Sequence, residues 1–176
     1  MKNEKCSSSV FAKVPCFLTG KLVLDTDRER IRQKLAKFLV YEREYDISDL
    51  QSDKIIDLAI SGEKIRSYVD ILVNINGRSL MVLRGGPGSV TTRESGTIAA
   101  ARLLEPEYII PWAVQANLHD ASFIDVVKKQ TVAYGWDAIP EKKKLMELTA
   151  SWPPPKLPPD RIPFERQILY SYDTHG

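Results

Sequence analysis

Residues 68–89, with the sequence YVDILVNINGRSLMVLRGGPGS, decide the fold of this chain. Two apolar runs rich in β-branched residues flank the pair Asn76-Gly77, which tolerates the positive φ angles of a tight hairpin turn. The stretch therefore predicts two antiparallel strands, with Asp70 on the first strand and Arg84 near the end of the second. The segment GGPGS lacks the Gly-Lys-Ser/Thr ending of a phosphate-binding loop, so it predicts a plain turn out of the sheet.

The register of this hairpin decides which residue lies opposite Asp70. A two-residue turn places Asp70 opposite Leu83, whereas a three-residue loop places it opposite Arg84. An ionised carboxylate in an apolar strand is costly unless it is paired. We therefore expect Asp70 either to have an arginine partner, such as Arg84 or Arg66, or to have a functional role.

Two helices are predicted on either side of the hairpin. Thr26, with Glu29 three residues later, has the spacing of a capping box, and apolar residues then recur at helical intervals. This pattern predicts a helix over 27–43. After the glycines, TTRESGTIAAARLLE has threonine caps and an alanine-leucine face, which predict a second helix over 92–104 despite an internal glycine.

The remaining segments predict further strands and a last helix. The runs KIIDLAIS from Lys54 and RSYVDILVNI from Arg66 are typical of strands. YIIPWAV from Tyr108 is another apolar strand, in which Pro111 favours an edge position or a bulge. SFIDVVKKQTVAYG indicates a short strand pair, and IPEKKKLMELTA indicates a helix with Pro140 near its first turn.

The composition predicts one main domain with an extension at each end. A chain of 176 residues, 43% of them hydrophobic, is long enough to bury a single core. We place the domain at 26–150, after an N-terminal extension over 1–25. The tail over 151–176 holds six of the eleven prolines, so we expect it to run without helix or strand and to dock through its aromatic side chains.

Charge and cysteine content exclude several classes of protein. The formal net charge of +2 gives no strong overall attraction to nucleic acid, so contact with DNA requires a local basic patch. Cys6 and Cys16 lack the spacing of metal ligands, and a reduced, cytoplasmic setting is the simpler interpretation. No apolar segment is long enough to predict a signal peptide or a membrane span.

The order of these elements resembles the PD-(D/E)XK nuclease core. It is more similar to the N-terminal nuclease domain of type I restriction enzyme R subunits, over about residues 26–140. RERIRQKLAKFLVYEREY is similar to the opening helix of that family, YVDILVNINGRSLMVL to its strand pair, and AAARLLEPEYIIPWAV to its next helix and strand. The resemblance implies an α/β fold, with a three-layer α/β/α restriction-endonuclease-like core around a mixed central sheet.

The same resemblance implies a degenerate catalytic motif. Active members carry an Asp strand followed by a strand that ends in Glu-x-Lys; the acids hold Mg²⁺ and the lysine assists the attacking water. Asp70 matches the aspartate, and Glu29 could match an acid on the first helix, where it is otherwise a capping residue. Arg84 falls at the glutamate and Gly86 at the lysine, so the ordinary metal site is not expected to assemble.

Three functions follow from these residues. The leading hypothesis is a relative without metal-dependent nuclease activity and without a cofactor, which binds DNA or a protein. Arg84, Arg93 and Arg102 would form its basic patch, although the last two are also explained as solvated helix charges. The enzyme alternative is a magnesium-dependent DNA endonuclease with relocated residues, in which Glu29, Asp70 and Glu94 supply the carboxylates and Arg84 or Arg93 replaces the lysine.

The third alternative is a protein-interaction module that uses the proline-rich tail and has no role with DNA. The sequence leaves open whether the partner is DNA or protein, and how many copies of the chain assemble.

Overall fold

The computed structural model describes residues 12–60, 62–151 and 153–173. The described residues form eight strands: β1 (Lys13–Pro15), β2 (Leu22–Leu24), β3 (Leu50–Ile60), β4 (Glu63–Ile75), β5 (Arg78–Gly85), β6 (Trp112–Ala116), β7 (Ala121–Asp125) and β8 (Gln130–Tyr134). The same residues form four α-helices: α1 (Asp27–Glu42), α2 (Glu94–Leu103), α3 (Lys142–Leu148) and α4 (Ile162–Asp173). All of the predicted elements of the domain are present, with shifted ends.

The strands β3 to β8 lie in chain order in one six-stranded sheet. Neighbouring strands are antiparallel except β5 and β6, which are parallel. A parallel pair needs a crossover connection, and α2 supplies it. The predicted mixed central sheet is therefore confirmed, and the carboxyl ends of β5 and β6 meet at one edge. The strands β1 and β2, which the sequence did not predict, pair separately as a small hairpin.

Helices cover both faces of the sheet. One apolar cluster joins α1, α3 and the sheet through Ile31, Leu35, Leu39, Leu145, Ile71, Val73 and Leu83. A second cluster joins α2, α4 and the sheet through Ile98, Ala99, Ala100, Leu169, Leu72, Val82 and Ala113. Because side chains alternate along a strand, β3 to β7 each supply residues to both clusters. The three-layer α/β/α fold class is thus confirmed.

The start of α1 forms only half of the predicted capping box. The Thr26 hydroxyl oxygen accepts a hydrogen bond from the backbone N–H of Glu29 at 3.1 Å. The backbone N–H of Thr26 donates to the carbonyl of Leu24 at 3.0 Å, because the Glu29 side chain is bound to Arg32 instead. The threonine caps predicted for α2 are also wrong, since Thr91–Arg93 form a short 3-10 turn ahead of the helix.

The hairpin between β4 and β5 has the two-residue turn that Asn76-Gly77 predicts. Both residues have positive φ, 53° and 75°, and Ile75 pairs with Arg78 across the turn. A β-bulge then inserts one extra residue, Leu80, into the second strand, so the register shifts by one. Further along the hairpin Ile71 pairs with Leu83.

This bulge decides the position of Asp70. Continuing the register one step beyond the pair Ile71 and Leu83 brings Asp70 level with Arg84. A two-residue turn had predicted Leu83 as the facing residue, and that prediction is wrong because it assumed unbroken pairing. The hairpin therefore has both the two-residue turn at Asn76-Gly77 and the alignment of Asp70 with Arg84.

The C-terminal segment differs from its prediction. It forms the helix α4, although an extended chain was expected throughout. Pro163 lies in the first turn of α4, where its missing N–H has no helical partner to lose, and no proline follows it. Leu157 and Leu169 are buried, whereas Phe164 remains 62% exposed. Trp152, expected to dock, lies outside the described residues.

Two smaller predictions concern β6 and the cysteines. β6 begins at Trp112, directly after Pro111, and lies between β5 and β7. The expected edge position or bulge is wrong because the proline precedes the strand, where no ladder bond is lost. Cys16 is a buried free thiol, while Cys6 lies outside the described residues. Within the described ranges, no helix has the length and apolar character needed to cross a membrane.

Candidate functional site

Asp70 lies on β4 with only 3% of its surface exposed. Its Oδ1 accepts a hydrogen bond from Arg28 Nε at 2.9 Å, and its Oδ2 accepts one from the backbone N–H of Gly85 at 2.7 Å. The predicted ion-pair partners, Arg84 and Arg66, are wrong: both guanidiniums bind other carboxylates. Instead, Arg28 in the first turn of α1 forms the ion pair with Asp70.

Burial raises the pKa of the Asp70 carboxyl above its ordinary value, because a charged carboxylate is poorly solvated inside the protein. The positive charge of Arg28, the N–H of Gly85 and the more distant charge of Arg84 all act in the opposite direction, and they offset only part of the effect. Asp70 is therefore a buried acid whose oxygens are already committed to protein donors.

Gly85 explains why α1 reaches Asp70. A β-carbon at this position would lie 2.6 Å from Cγ2 of Ile31, which is too close for any real side chain. The glycine thus lets α1 pack directly against the end of β5. Arg28 lies one helical turn before Ile31, so the same close approach brings its guanidinium to Asp70.

Glu29 and its neighbours form a separate ionic cluster on α1. The Glu29 carboxylate binds Arg32 at 2.8 Å and also accepts a hydrogen bond from Gln33 at 2.6 Å. Arg32 reaches in turn to Asp53 on β3 at 2.6 Å. The two acids proposed as metal ligands, Glu29 and Asp70, are therefore each bound to a different arginine of the same helix.

Arg84 points to the opposite face of the sheet, toward α2 and α4. Its Nη2 lies 2.7 Å from Asp173 Oδ1, and its Nη1 donates to the carbonyl of Gly96 at 3.3 Å. The two charged side chains are 12% and 16% exposed. Arg84 and Asp173 line a cavity of about 20 Å³ together with Gly85, Arg93, Gly96, Gln115 and Tyr172.

Arg93 is the second cation at this cavity. Its guanidinium lies over the backbone of Gly86, with Nη1 3.6 Å from where a β-carbon would lie. Among the residues that the structure describes, the Arg93 guanidinium has neither a hydrogen-bond partner nor an ion pair. The structure therefore brings Arg84 and Arg93 together, as the predicted basic patch requires, but with one of the two already paired.

Arg102 lies elsewhere, beneath α4. It is 7% exposed, and its Nε lies 2.8 Å from Oε1 of Glu165. Lys129 approaches the same carboxylate oxygen at 2.6 Å, and Arg102 also donates to the carbonyl of Val126 at 3.3 Å. This position links α2, α4 and the β7–β8 connection, so the structure does not bring Arg102 to the cavity of Arg84 and Arg93.

The residues present do not fit the magnesium site of an active nuclease. Glu94 begins α2, and its Oε1 is buried without a hydrogen-bond partner among the described residues. In that same part of the chain, no three His, Cys, Asp or Glu side chains are grouped so that they could hold a metal. Asp70 has cationic neighbours where a metal site needs further oxygen ligands.

Comparison with known families supports the resemblance in the sequence. The family model for the type I restriction enzyme R protein N terminus matches residues 27–140. The chain belongs to this family. A search of curated proteins and a search of solved structures each found no match.

This R protein N-terminal domain contains Asp70, Arg84 and Arg93 within the matched range, whereas α4 lies beyond it. Sequence reasoning missed the two residues that pair with the site, Arg28 and Asp173. They lie 42 and 89 residues away from their partners, and no local spacing signals such contacts. For Arg28 the only available signal is its place in the first turn of the predicted helix.

Proposed function

We propose that this domain binds the DNA backbone at the edge where β5 and β6 end, and that it does so without metal-dependent cleavage. The proposal rests on the contacts that the Asp70 side chain makes. Its carboxylate is bound to Arg28 and to the N–H of Gly85, and Arg84 lies level with it where active members carry a second acid. This is the arrangement of an ionic anchor rather than of a metal ligand.

The donor set argues against a hard divalent cation at this point. Magnesium takes oxygen ligands, and its charge would be opposed by the guanidiniums of Arg28 and Arg84. Breaking the Arg28 contact to free the carboxylate would leave Asp70 as an unpaired buried charge, which is costly. The residues therefore favour the binding function over the magnesium-dependent alternative.

The strand-end edge, defined as the loops 86–89 and 117–120, suits phosphate contacts. Asn117 Nδ2 donates to the carbonyl of Gly88 at 2.7 Å and ties the two loops together. Three cations border them: Arg93 over Gly86, Arg28, which binds the same Asp70 carboxylate as the N–H of Gly85, and Lys34, whose Nζ donates to a carbonyl of the second loop at 2.6 Å. Clustered cations bind phosphates without reading bases.

The test is a fluorescence-anisotropy titration of a short DNA duplex at several salt concentrations. We expect the wild type to bind at low salt, with an affinity that falls as salt rises. Arg93→Ala should weaken binding whatever the duplex sequence, and should lower the salt slope by about one. Arg66→Ala is the matched control, because it removes the same charge from an exposed pair with Asp57.

A cleavage assay separates the enzyme alternative. Supercoiled and linear DNA are incubated with the wild type in Mg²⁺ and in Mn²⁺, and we expect both to stay intact. Metal-dependent cleavage that is abolished by Asp70→Ala or Glu94→Ala would overturn the proposal in favour of relocated catalysis. Absence of binding at low salt would overturn the DNA function and favour a protein partner.

A further inference from the structure

We infer that Asp173 occupies an anion site formed by Arg84 and Arg93, and that a phosphate group competes with it for this site. The inference rests on the proposed function and deepens it, because it names the ligand group and a competitor within the chain. The site lies at the carboxyl end of β5, between that strand and the helices α2 and α4.

The contact between Arg84 and Asp173 has the chemistry of a bound oxyanion. The carboxylate lies 2.7 Å from the guanidinium, and both side chains are largely removed from water. Guanidinium groups bind carboxylates and phosphates through the same N–H donors. A phosphate oxygen can therefore take the place of Asp173 Oδ1 without any change in the donor.

The carboxylate satisfies this site only in part. Asp173 Oδ2 is buried and has no hydrogen-bond partner among the described residues. Arg93 lines the same cavity, and its guanidinium has no hydrogen bond or ion pair within those residues either. Two guanidiniums and one carboxylate thus line the cavity, and within the described residues the carboxylate forms an ion pair with only one of them, Arg84. A tetrahedral phosphate offers more oxygens than the carboxylate and could engage both arginines.

The cavity is too small to admit a phosphate while Asp173 is in place. Its volume is about 20 Å³, enough for no more than a water molecule. Binding therefore requires the carboxylate to leave, which makes the two ligands competitors rather than neighbours. Such competition lowers the apparent affinity for phosphate by the fraction of molecules in which the site is closed.

The position of Asp173 in α4 allows it to leave. Asp173 lies in the last described turn of α4, beyond the fully buried Leu169, and turns with few buried contacts open at a lower free-energy cost than well-packed helix interiors. The rest of α4 is held independently by fully buried Leu169 and by Glu165, which binds Arg102 and Lys129. The last turn can therefore open while the helix stays attached to the sheet.

The experiment compares Asp173→Asn with the wild type in two titrations, one with a DNA duplex and one with inorganic pyrophosphate. Asp57→Asn is the matched control, because it also removes one carboxylate charge from an arginine pair, but an exposed one on β3. We expect Asp173→Asn to tighten phosphate binding about fivefold or more, and the control to change it less than about twofold. The double variant Arg84→Ala/Asp173→Asn should lose the gain.

The outcomes separate this inference from the proposed function. Unchanged affinity of Asp173→Asn for both probes, or a gain that persists in the double variant, overturns the inference. If Arg93→Ala still weakens DNA binding in that case, the proposed function stands alone. A gain for pyrophosphate without any duplex binding supports the anion site, identifies free phosphate compounds as its ligands, and overturns the DNA function. Urea unfolding of each variant verifies that all of them are folded.

Discussion

The helix α4 forms two arginine–carboxylate pairs that look alike and differ in burial. Near its start, Glu165 binds Arg102, and the side chains are 2% and 8% exposed. At its end, Asp173 binds Arg84, and the side chains are 16% and 12% exposed. Glu165 has a second cation, Lys129, whereas Arg84 is the one ion-pair partner of Asp173 among the described residues; each carboxylate keeps one buried oxygen without a hydrogen-bond partner there.

The comparison shows that location decides what an ion pair does. The charge on Glu165 is surrounded by protein and compensated twice, so it stabilises only one arrangement of α2, α4 and the β7–β8 connection. The Asp173 side chain is 16% exposed and forms an ion pair only with Arg84 among the described residues, so solvent can replace Arg84 at Asp173 and another anion can replace Asp173 at Arg84. The first pair is a fixed part of the fold, and the second is open to competition.

The largest effect is expected from breaking the buried pair between Arg102 and Glu165. Arg102→Ala should lower the free energy of unfolding by about 3–5 kcal/mol, because Glu165 would be left with less compensation at a buried site. Arg84→Ala should cost clearly less, about 1–3 kcal/mol, since the helix end can hydrate Asp173. Urea denaturation measures both values, and Arg66→Ala, at an exposed pair, should stay within about 1 kcal/mol. Equal losses at Arg102 and Arg84 would contradict the comparison.

A smaller effect is expected from a substitution that crowds only the last described turn of α4, next to Asp173. In Gly96→Ala the new β-carbon would lie 2.8 Å from Cγ of Tyr172, a ring atom that cannot move by itself. The last turn of α4 should shift, at a cost of about 1–3 kcal/mol, and its amide hydrogens should exchange faster. Amides near Glu165 should keep their protection, and Ser95→Ala, at the exposed neighbouring position, should change little. Faster exchange around Glu165 would mean that the two ends of α4 open together.

The smallest expected effect concerns Asp70, a buried carboxylate paired with the partly exposed Arg28. Burial raises the pKa of Asp70 above its value in an unfolded chain, so the folded state holds the proton more tightly. The stability that this proton contributes is present below the unfolded pKa and is lost as pH rises through the folded pKa. Relative to Asp70→Asn, the wild type should therefore lose unfolding free energy as pH rises from acid toward neutrality.

Urea denaturation of both proteins over this pH range tests the sign. The Asp70→Asn variant keeps a side-chain oxygen that can accept the Gly85 N–H, so the comparison isolates the charge of the carboxylate. Arg28, whose side chain is 44% exposed, can be hydrated when its partner loses that charge. Parallel pH profiles for the two proteins would show that burial does not perturb Asp70.

Local signals made much of the fold predictable. Thr26 marks the start of α1 because its hydroxyl accepts a hydrogen bond from a residue only three positions later. Asn76-Gly77 marks the turn because both residues adopt positive φ angles. Such signals act within a few residues and need no knowledge of packing. The proline-rich tail misled the prediction because Pro163 was counted against a helix in which it occupies the first turn.

The site was less predictable because its contacts join distant parts of the chain. The partner of Asp70 depends on the close passage of α1 over Gly85, and the partner of Arg84 belongs to a helix that starts 78 residues later (84 to 162). Helix propensity and strand alternation carry no information on either contact. The resemblance placed Asp70 and Arg84 at corresponding positions of two strands, and the structure then supplied Arg28 and Asp173.

The bulge at Leu80 shifts the pairing of β5 with β4 by one residue. Every residue after it is displaced by one place, so Arg84 faces α4 while Gly85 lies beneath Ile31. If the same residues paired without the bulge, the two faces of β5 would be exchanged, and the Arg84 side chain would then need the space that only a glycine fits. The bulge therefore places the arginine on the side of α2 and α4 and the glycine on the side of α1, and the packing on both faces of β5 depends on it.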